Sequence, residues 1–174
     1  MNKRRRKGFK CECCGKWHNY AWTDLGFALP DEAWSMPEDQ RETRVVTDED
    51  LCSIDKKRYF IRCLATVPFS HRVGYFGWGL WAEVSKRDFF RYVDDHPKKG
   101  EKLKPFPGRV ANALPGYPSV LGKTVELRPS QSTLRPTLWF SSASRHLLAR
   151  EQRTGVDAAR HHEILHENMP GALQ

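Results

Sequence analysis

The sequence predicts an α+β domain: an antiparallel sheet with flanking helices, carrying an N-terminal zinc-knuckle-like metal site. Two observations predict it. Runs rich in β-branched and aromatic residues, with apolar side chains at every second position, fill the middle of the chain, while helix-period patterns gather toward its end. That order suits helices packed on an antiparallel sheet better than strict βαβ alternation. Second, three of the five cysteines fall within four residues, Cys11 to Cys14. The boundaries read from this are a basic arm over 1–8 and a single α+β domain over 9–170, whose first part, 9–20, is the metal knuckle.

Cys11-Glu-Cys-Cys14-Gly15 has the spacing of a tight turn in which two thiolates face one ion and backbone N–H groups of the turn donate to the sulfurs. Gly15 supplies the open backbone conformation such a turn needs at its end. A closed structural zinc site takes four ligands, and no second Cys-x-x-Cys follows. The expected set is Cys11, Cys14, His18 and Cys52, with structural zinc as the cofactor. Cys13 is a spare thiol, and Cys63 falls on the core face of a strand. A reactive dithiol, or unrelated free thiols, are the alternatives.

Downstream, Asp24 to Asp31 reads as a loop broken by Gly26 and Pro30. Asp31–Trp34 and Pro37–Glu42 read as short helices or turns, the second with Pro at its first position and acids in its first turn. Val45-Val46, Leu51–Ile54 and Tyr59–Val67 read as strands, with Tyr59, Ile61, Cys63, Ala65 and Val67 on one face. A further strand spans Gly74–Val84, with Trp78, Leu80 and Ala82 on one face and Trp81 on the other. Gly77 and Gly79 thin it, as they would at a bulge or beside another backbone or ligand. Ser85-Lys-Arg-Asp88 is a capping box with Asp in place of Glu, opening a helix that ends before Pro97. Lys98 to Arg109 reads as an exposed Pro- and Gly-bearing loop, Leu114–Pro118 as a turn, and Thr124–Arg128 and Thr137–Phe140 as strands. Helices over Ala143–Arg153 and Asp157–Asn168, separated by Gly155, complete the chain.

The formal net charge is +8, and six cations, Lys3, Arg4, Arg5, Arg6, Lys7 and Lys10, stand among the first ten residues with no acid among them. The rest is nearly balanced. Such an arm can hold phosphates by counterion release, so Lys3, Arg4, Arg5, Arg6 and Lys7 carry a non-specific nucleic-acid alternative. No recognition motif accompanies them. No apolar run follows the N-terminal charges and none is long enough for a membrane span, which predicts a cytoplasmic location.

His162-Glu163-Ile-Leu-His166 spells H-E-x-x-H on a helix. Histidines four residues apart can share a zinc, and Glu163 could activate a bound water, so a small metallohydrolase is a second alternative. Too little chain follows for a third ligand after His166, and an upstream one such as His96 or His146 would be required. The plainer reading is a surface helix whose Ala158, Leu165 and Met169 face the core.

Taken together, Cys11-x-x-Cys14-Gly with His18, Asp50–Asp55, Tyr59–Arg62, Gly77–Trp81, Leu114–Pro118 and Glu151–Arg153 resemble, in order and over nearly the whole chain, a bacterial family known as domain of unknown function 2199. The resemblance implies a bacterial cytosolic protein with Cys11, Cys14, His18 and Cys52 on matching motif positions, and it implies no established activity. The arginine-rich arm and the C-terminal histidines depart from the pattern. The expected function is therefore a metal-stabilised binding or adaptor module that acts through protein contacts, with no catalytic residue assigned. Trp78 and Trp81, beside the 98–109 loop, stand as its contact surface or else in the core.

Overall fold

The computed structural model describes residues 8–10, 15–19, 24–95, 103–129 and 135–168. Its strands are β1 (Gly8–Lys10), β2 (Trp17–Asn19), β3 (Asp24–Gly26), β4 (Val45–Thr47), β5 (Leu51–Ile54), β6 (Arg58–Pro68), β7 (Tyr75–Val84), β8 (Phe106–Val110), β9 (Thr124–Arg128) and β10 (Thr137–Trp139). The helices are α1 (Asp31–Trp34), α2 (Glu38–Arg44), α3 (Lys86–Asp95), α4 (Leu147–Thr154) and α5 (Ala158–Asn168).

β6 and β7 form the long hairpin around which the rest is built, antiparallel from Tyr59 opposite Val84 to Pro68 opposite Tyr75. The alternation expected of them holds. Tyr59, Ile61, Cys63, Ala65 and Val67 share the main core with Phe76, Trp78, Leu80 and Ala82, while Trp81 joins Phe60 in a second cluster on the opposite face.

The sheet expected to be antiparallel is so for most of its pairings, but it closes on itself through a parallel one. β7 pairs with β8, β8 with β9 and β9 with β10, all antiparallel, and β10 then lies parallel to β6, where the Leu64 N–H donates to the Pro136 carbonyl at 2.9 Å. Five strands thus close a barrel, with β3 added to β7 and β5 and β4 added beyond β6. Closure gives each barrel strand a partner on both sides.

Two departures from the sequence reading have local causes. Phe106–Val110 is a barrel strand rather than exposed loop, with Phe106 and Val110 buried. Its Pro107 is tolerated because β8 meets β7 only at Arg109 and Val110; the nitrogen that cannot donate faces the point where β7 has already ended. The segment read as loop near Gly26 contains β3, which runs parallel to β7 with Asp24, Leu25 and Gly26 opposite Gly77, Trp78 and Gly79. Here the thinning glycines find their reason. A Cβ at Gly79 would lie 3.3 Å from the Gly26 Cα, and one at Gly77 would run into the Asp24 carboxylate.

The edge of β7 passes from β3 to β8 between Gly79 and Ala82, and Asn112 fills that gap. Its side-chain oxygen accepts from the Trp81 N–H at 2.8 Å, and its amide donates to the Leu29 carbonyl and to Asp31 Oδ1, each at 2.9 Å. This clamps the chain before α1 over the second cluster of Ala33, Cys52, Ile54, Phe60, Trp81 and Ala111.

At the other end, the Leu114–Tyr117 turn, with Gly116 at φ +78°, brings the Tyr117 hydroxyl onto Glu151 of α4, to which it donates. Arg160 of α5 donates to the same carboxylate at 2.8 Å. Burial, then the bond to Glu151, pushes the Tyr117 phenol well above the usual tyrosine range. α4 starts at Leu147, later than expected, because His146 caps it. Its Nδ1 accepts from the Leu148 N–H, leaving Nε2 to donate to the Pro118 carbonyl at 3.0 Å. Among the described residues no helix is long and apolar enough to cross a membrane.

Candidate functional site

Beyond the barrel, β5 and β4 continue the sheet past β6, and α3 packs alongside the face they share with Tyr59. The Asp55-Lys56 turn, with φ of 53° and 51°, closes the β5–β6 hairpin so that Ser53 faces Tyr59 and Cys52 faces Phe60. Ser85 caps the helix as the sequence predicts: the Asp88 N–H donates to Ser85 Oγ at 3.0 Å, while the shorter Asp88 carboxylate accepts from the Ser85 hydroxyl at 2.7 Å. That cap aims Phe89 and Phe90 at Tyr59, with ring centroids 5.0 and 5.6 Å from it.

The result is a groove of about 580 Å³ between the β4–β5 extension and α3. Val46, Leu51, Tyr59, Phe89 and Phe90 make it apolar, and Lys56, Lys86 and Asp48 stand around it. The Tyr59 hydroxyl turns away to donate to the Lys56 carbonyl at 2.6 Å, and its ring, buried under Phe89 and Phe90, forms the floor of the groove. Two of these apolar side chains are conspicuously open to solvent, Phe90 at 44% and Val46 at 66%. Covering the open part of a phenylalanine is worth ~2 kcal/mol, taking about 200 Å² for the residue and about 25 cal/mol per Å².

β4 is the last strand of its sheet. The Asp55 N–H donates to the Arg44 carbonyl at 2.8 Å and the Asp48 N–H to the Leu51 carbonyl at 3.0 Å, so Arg44, Val46 and Asp48 turn their backbones toward β5. Val45 and Thr47 therefore turn theirs outward. The Val45 N–H closes the last turn of α2 on the Arg41 carbonyl. Its carbonyl and both backbone groups of Thr47 face an edge that no strand among the described residues occupies.

The residues singled out in the sequence are scattered. Cys11 and Cys14 lie outside the described residues, as do Lys3, Arg4, Arg5, Arg6, Lys7 and His96. Residues 11–14 are flanked by a hairpin, β1 against β2 with Phe9 opposite His18, and Gly15 takes φ +70°. Cys52 packs in the second apolar cluster at 1% exposure, and burial pushes its thiol up to about 11, which disfavours the thiolate a metal needs. Cys63 is wholly buried, as expected of a core residue. The His162 and His166 rings stand 6.2 Å apart on α5, and the Glu163 carboxylate accepts from Arg160 at 3.2 Å. His146 is engaged as the α4 cap. Among the described residues no three His, Cys, Asp or Glu side chains are grouped so as to hold a metal ion.

Of the two places open to Trp78 and Trp81, contact surface or core, the structure takes the core. Trp78 and Trp81 are fully buried, on opposite faces of β7, and form no contact surface. The loop expected beside them is in part β8. The groove itself escaped the sequence reading, although the run Asp88-Phe-Phe-Arg carries a signal: two adjacent aromatics on a helix cannot both face one core, so one must be exposed or covered by something else.

Fold and groove together define a small closed-barrel α+β domain with an apolar, helix-lined groove at the end of its sheet. The chain belongs to the family described as uncharacterised proteins conserved in bacteria, domain of unknown function 2199, whose model matches residues 10–156. The match stops short of α5, so His162, Glu163 and His166 lie outside it. No curated protein and no solved structure matches the chain.

Proposed function

We propose that this protein is a binding module that acts through protein contacts at the groove between β4–β5 and α3, with its N-terminal hairpin braced by zinc. The observation that carries the reading is the pairing of an apolar groove, open at Phe90 and Val46, with a strand edge directly beside it that no strand among the described residues occupies. Apolar surface of this kind is costly to leave uncovered. Lys56 and Lys86 add positive charge that can orient a partner.

The zinc part of the proposal rests on Cys11, Cys14 and His18. The β1–β2 hairpin and the left-handed Gly15 at the end of its loop are what a Cys-x-x-Cys-Gly knuckle needs. Cys52 is left out of the proposed set because it packs at 1% exposure among the apolar side chains of the second cluster. Elemental mass spectrometry of untagged protein should find about one zinc per chain, lost in Cys11→Ser/Cys14→Ser and kept in His162→Ala/His166→Ala. Zinc lost with the histidines instead would reverse the assignment and bring back the hydrolase reading.

The contact surface is tested in the living bacterium. A photo-crosslinking amino acid replacing Val46 should trap protein adducts on irradiation, whereas the same replacement at Val73, fully exposed in the β6–β7 loop at the far end of that hairpin, should not. Equal adducts at both positions, or none at Val46, would remove the groove from the account.

A further inference from the structure

The groove and the edge strand select a particular kind of partner. Resting on the reading above, we propose that the groove takes an extended acidic peptide, which adds to β4 as one more strand and drops alternate apolar side chains between the sheet and α3.

Three features of one place lead to this. The outward carbonyl of Val45 and the outward N–H and carbonyl of Thr47 offer the spaced acceptor, donor and acceptor that an incoming strand pairs with. The side chains of such a strand alternate between faces. Those sharing the face of Val46, Ser53 and Tyr59 enter the groove and meet Phe89 and Phe90; those on the other face point away from it. Main-chain bonds would thus supply the register and one or two buried side chains the selectivity. A helix would present neither the backbone groups nor the spacing.

Charge sets the partner's sign. Lys56, in the β5–β6 turn, and Lys86, at the start of α3, both line the groove and both are exposed. Neither makes a close ion pair among the described residues. Asp48 stands at the opposite end, where β4 turns into β5. A peptide with carboxylates beside its apolar anchor, oriented so that they reach the two lysines, completes both the apolar and the electrostatic sides of the site. A basic peptide would meet like charge.

The test starts from the full-length protein and a displayed library of random ten-residue peptides, followed by fluorescence anisotropy with the highest-ranked synthetic peptide. Enriched sequences should alternate apolar with polar residues and carry Asp or Glu next to the anchor. Phe90→Asp should weaken binding at least about tenfold. The Lys56→Glu/Lys86→Glu pair should weaken it roughly fivefold and flatten its salt dependence. Lys56 and Lys86 are exposed, so the urea midpoint of that pair should match the parent; Phe90 also packs on Tyr59 and Phe89, so Phe90→Asp is measured well below its own unfolding midpoint, which separates lost binding from lost folding. Methylating the peptide nitrogens one at a time should abolish binding at alternate positions only, the signature of strand addition. Methylation without alternation, or binding that survives Phe90→Asp, overturns the proposal. An empty selection also overturns it, while leaving the protein-contact reading to its own crosslinking test.

Discussion

Replacing Asn112 with alanine should cost about 3 kcal/mol of stability, far more than a polar-to-alanine change usually does. Asn112 is fully buried, and each polar atom of its side chain is used. The largest share comes from the Trp81 N–H, which loses its acceptor at a point on β7 where β3 has ended, β8 has not begun and water has no entry; an orphaned buried donor costs ~1–3 kcal/mol. The bonds to the Leu29 carbonyl and to Asp31 face partly solvated groups, so water recovers some of their loss, leaving about 0.5–1 kcal/mol each. Urea unfolding followed by tryptophan fluorescence reads the change directly, because Trp81 reports on the gap itself; the slope should stay constant while the midpoint falls. Asn112→Asp is the sharper control. It keeps the acceptor for Trp81 but sets a carboxylate against Asp31, so its loss should shrink when the solution is acidified. A loss below about 1 kcal/mol for Asn112→Ala would refute the idea that this side chain stands in for a missing strand residue.

Other consequences are cheaper to check. Gly77→Val should destabilise by ~1–3 kcal/mol, because its side chain would displace Asp24 and press on Leu64, whose Cδ1 lies 2.9 Å from an added Cβ; thermal unfolding measures it. Cys52 and Cys63 should resist alkylation by a thiol reagent at neutral pH until the protein unfolds, since burial raises both thiols, Cys52 to about 11. Mass spectrometry of the labelled chain locates any modification. The Glu83 carboxyl is held below its usual 4.5, chiefly by hydrogen bonds from Arg58 at 2.8 Å and against the opposing effect of burial. A lowered carboxylate stabilises above its unfolded-state range and loses that contribution as pH falls through the folded value. The parent should therefore exceed Glu83→Gln in urea midpoint near neutrality, by up to ~1 kcal/mol for so open a pair, and the gap should close in acid.

Much of the fold was legible because its strands are long and their alternation is strict. From Tyr59 to Val67 every second residue enters the core, and β7 separates Trp78 and Leu80 from Trp81 by the same rule. The Ser85 cap, the Pro-Gly turn at 115–116 and the Gly155 break also act locally, so their residues announce them. What escaped depends on partners distant in sequence. Pro107 and Gly108 look like loop until the end of β7 and the Leu127 side chain, 2.7 Å from where a Gly108 Cβ would sit, explain them. Barrel closure rests on one parallel contact between β10 and β6, for which no local pattern exists. Periodicity placed Trp78 and Trp81 on two faces but could not say that both faces are covered, because β3, Phe27 and α1 reach β7 through partners distant in sequence, among them Asn112, the glycine track and the Trp81 Nε1–H bond to the Phe27 carbonyl at 3.1 Å. The groove follows from the same limit: Phe89 and Phe90 were readable as a helix, whereas the edge of β4 beside them becomes visible only in the assembled sheet.

The most direct test of the groove as the contact surface is a backbone NMR titration of isotope-labelled protein with the acidic peptide ranked first in the library selection. Shifts should concentrate on Val45 to Ser53, Tyr59 and Lys86 to Phe90, and the Thr47 N–H should become protected from hydrogen exchange. Shifts centred elsewhere on the barrel, with Thr47 exchanging as before, would contradict the account.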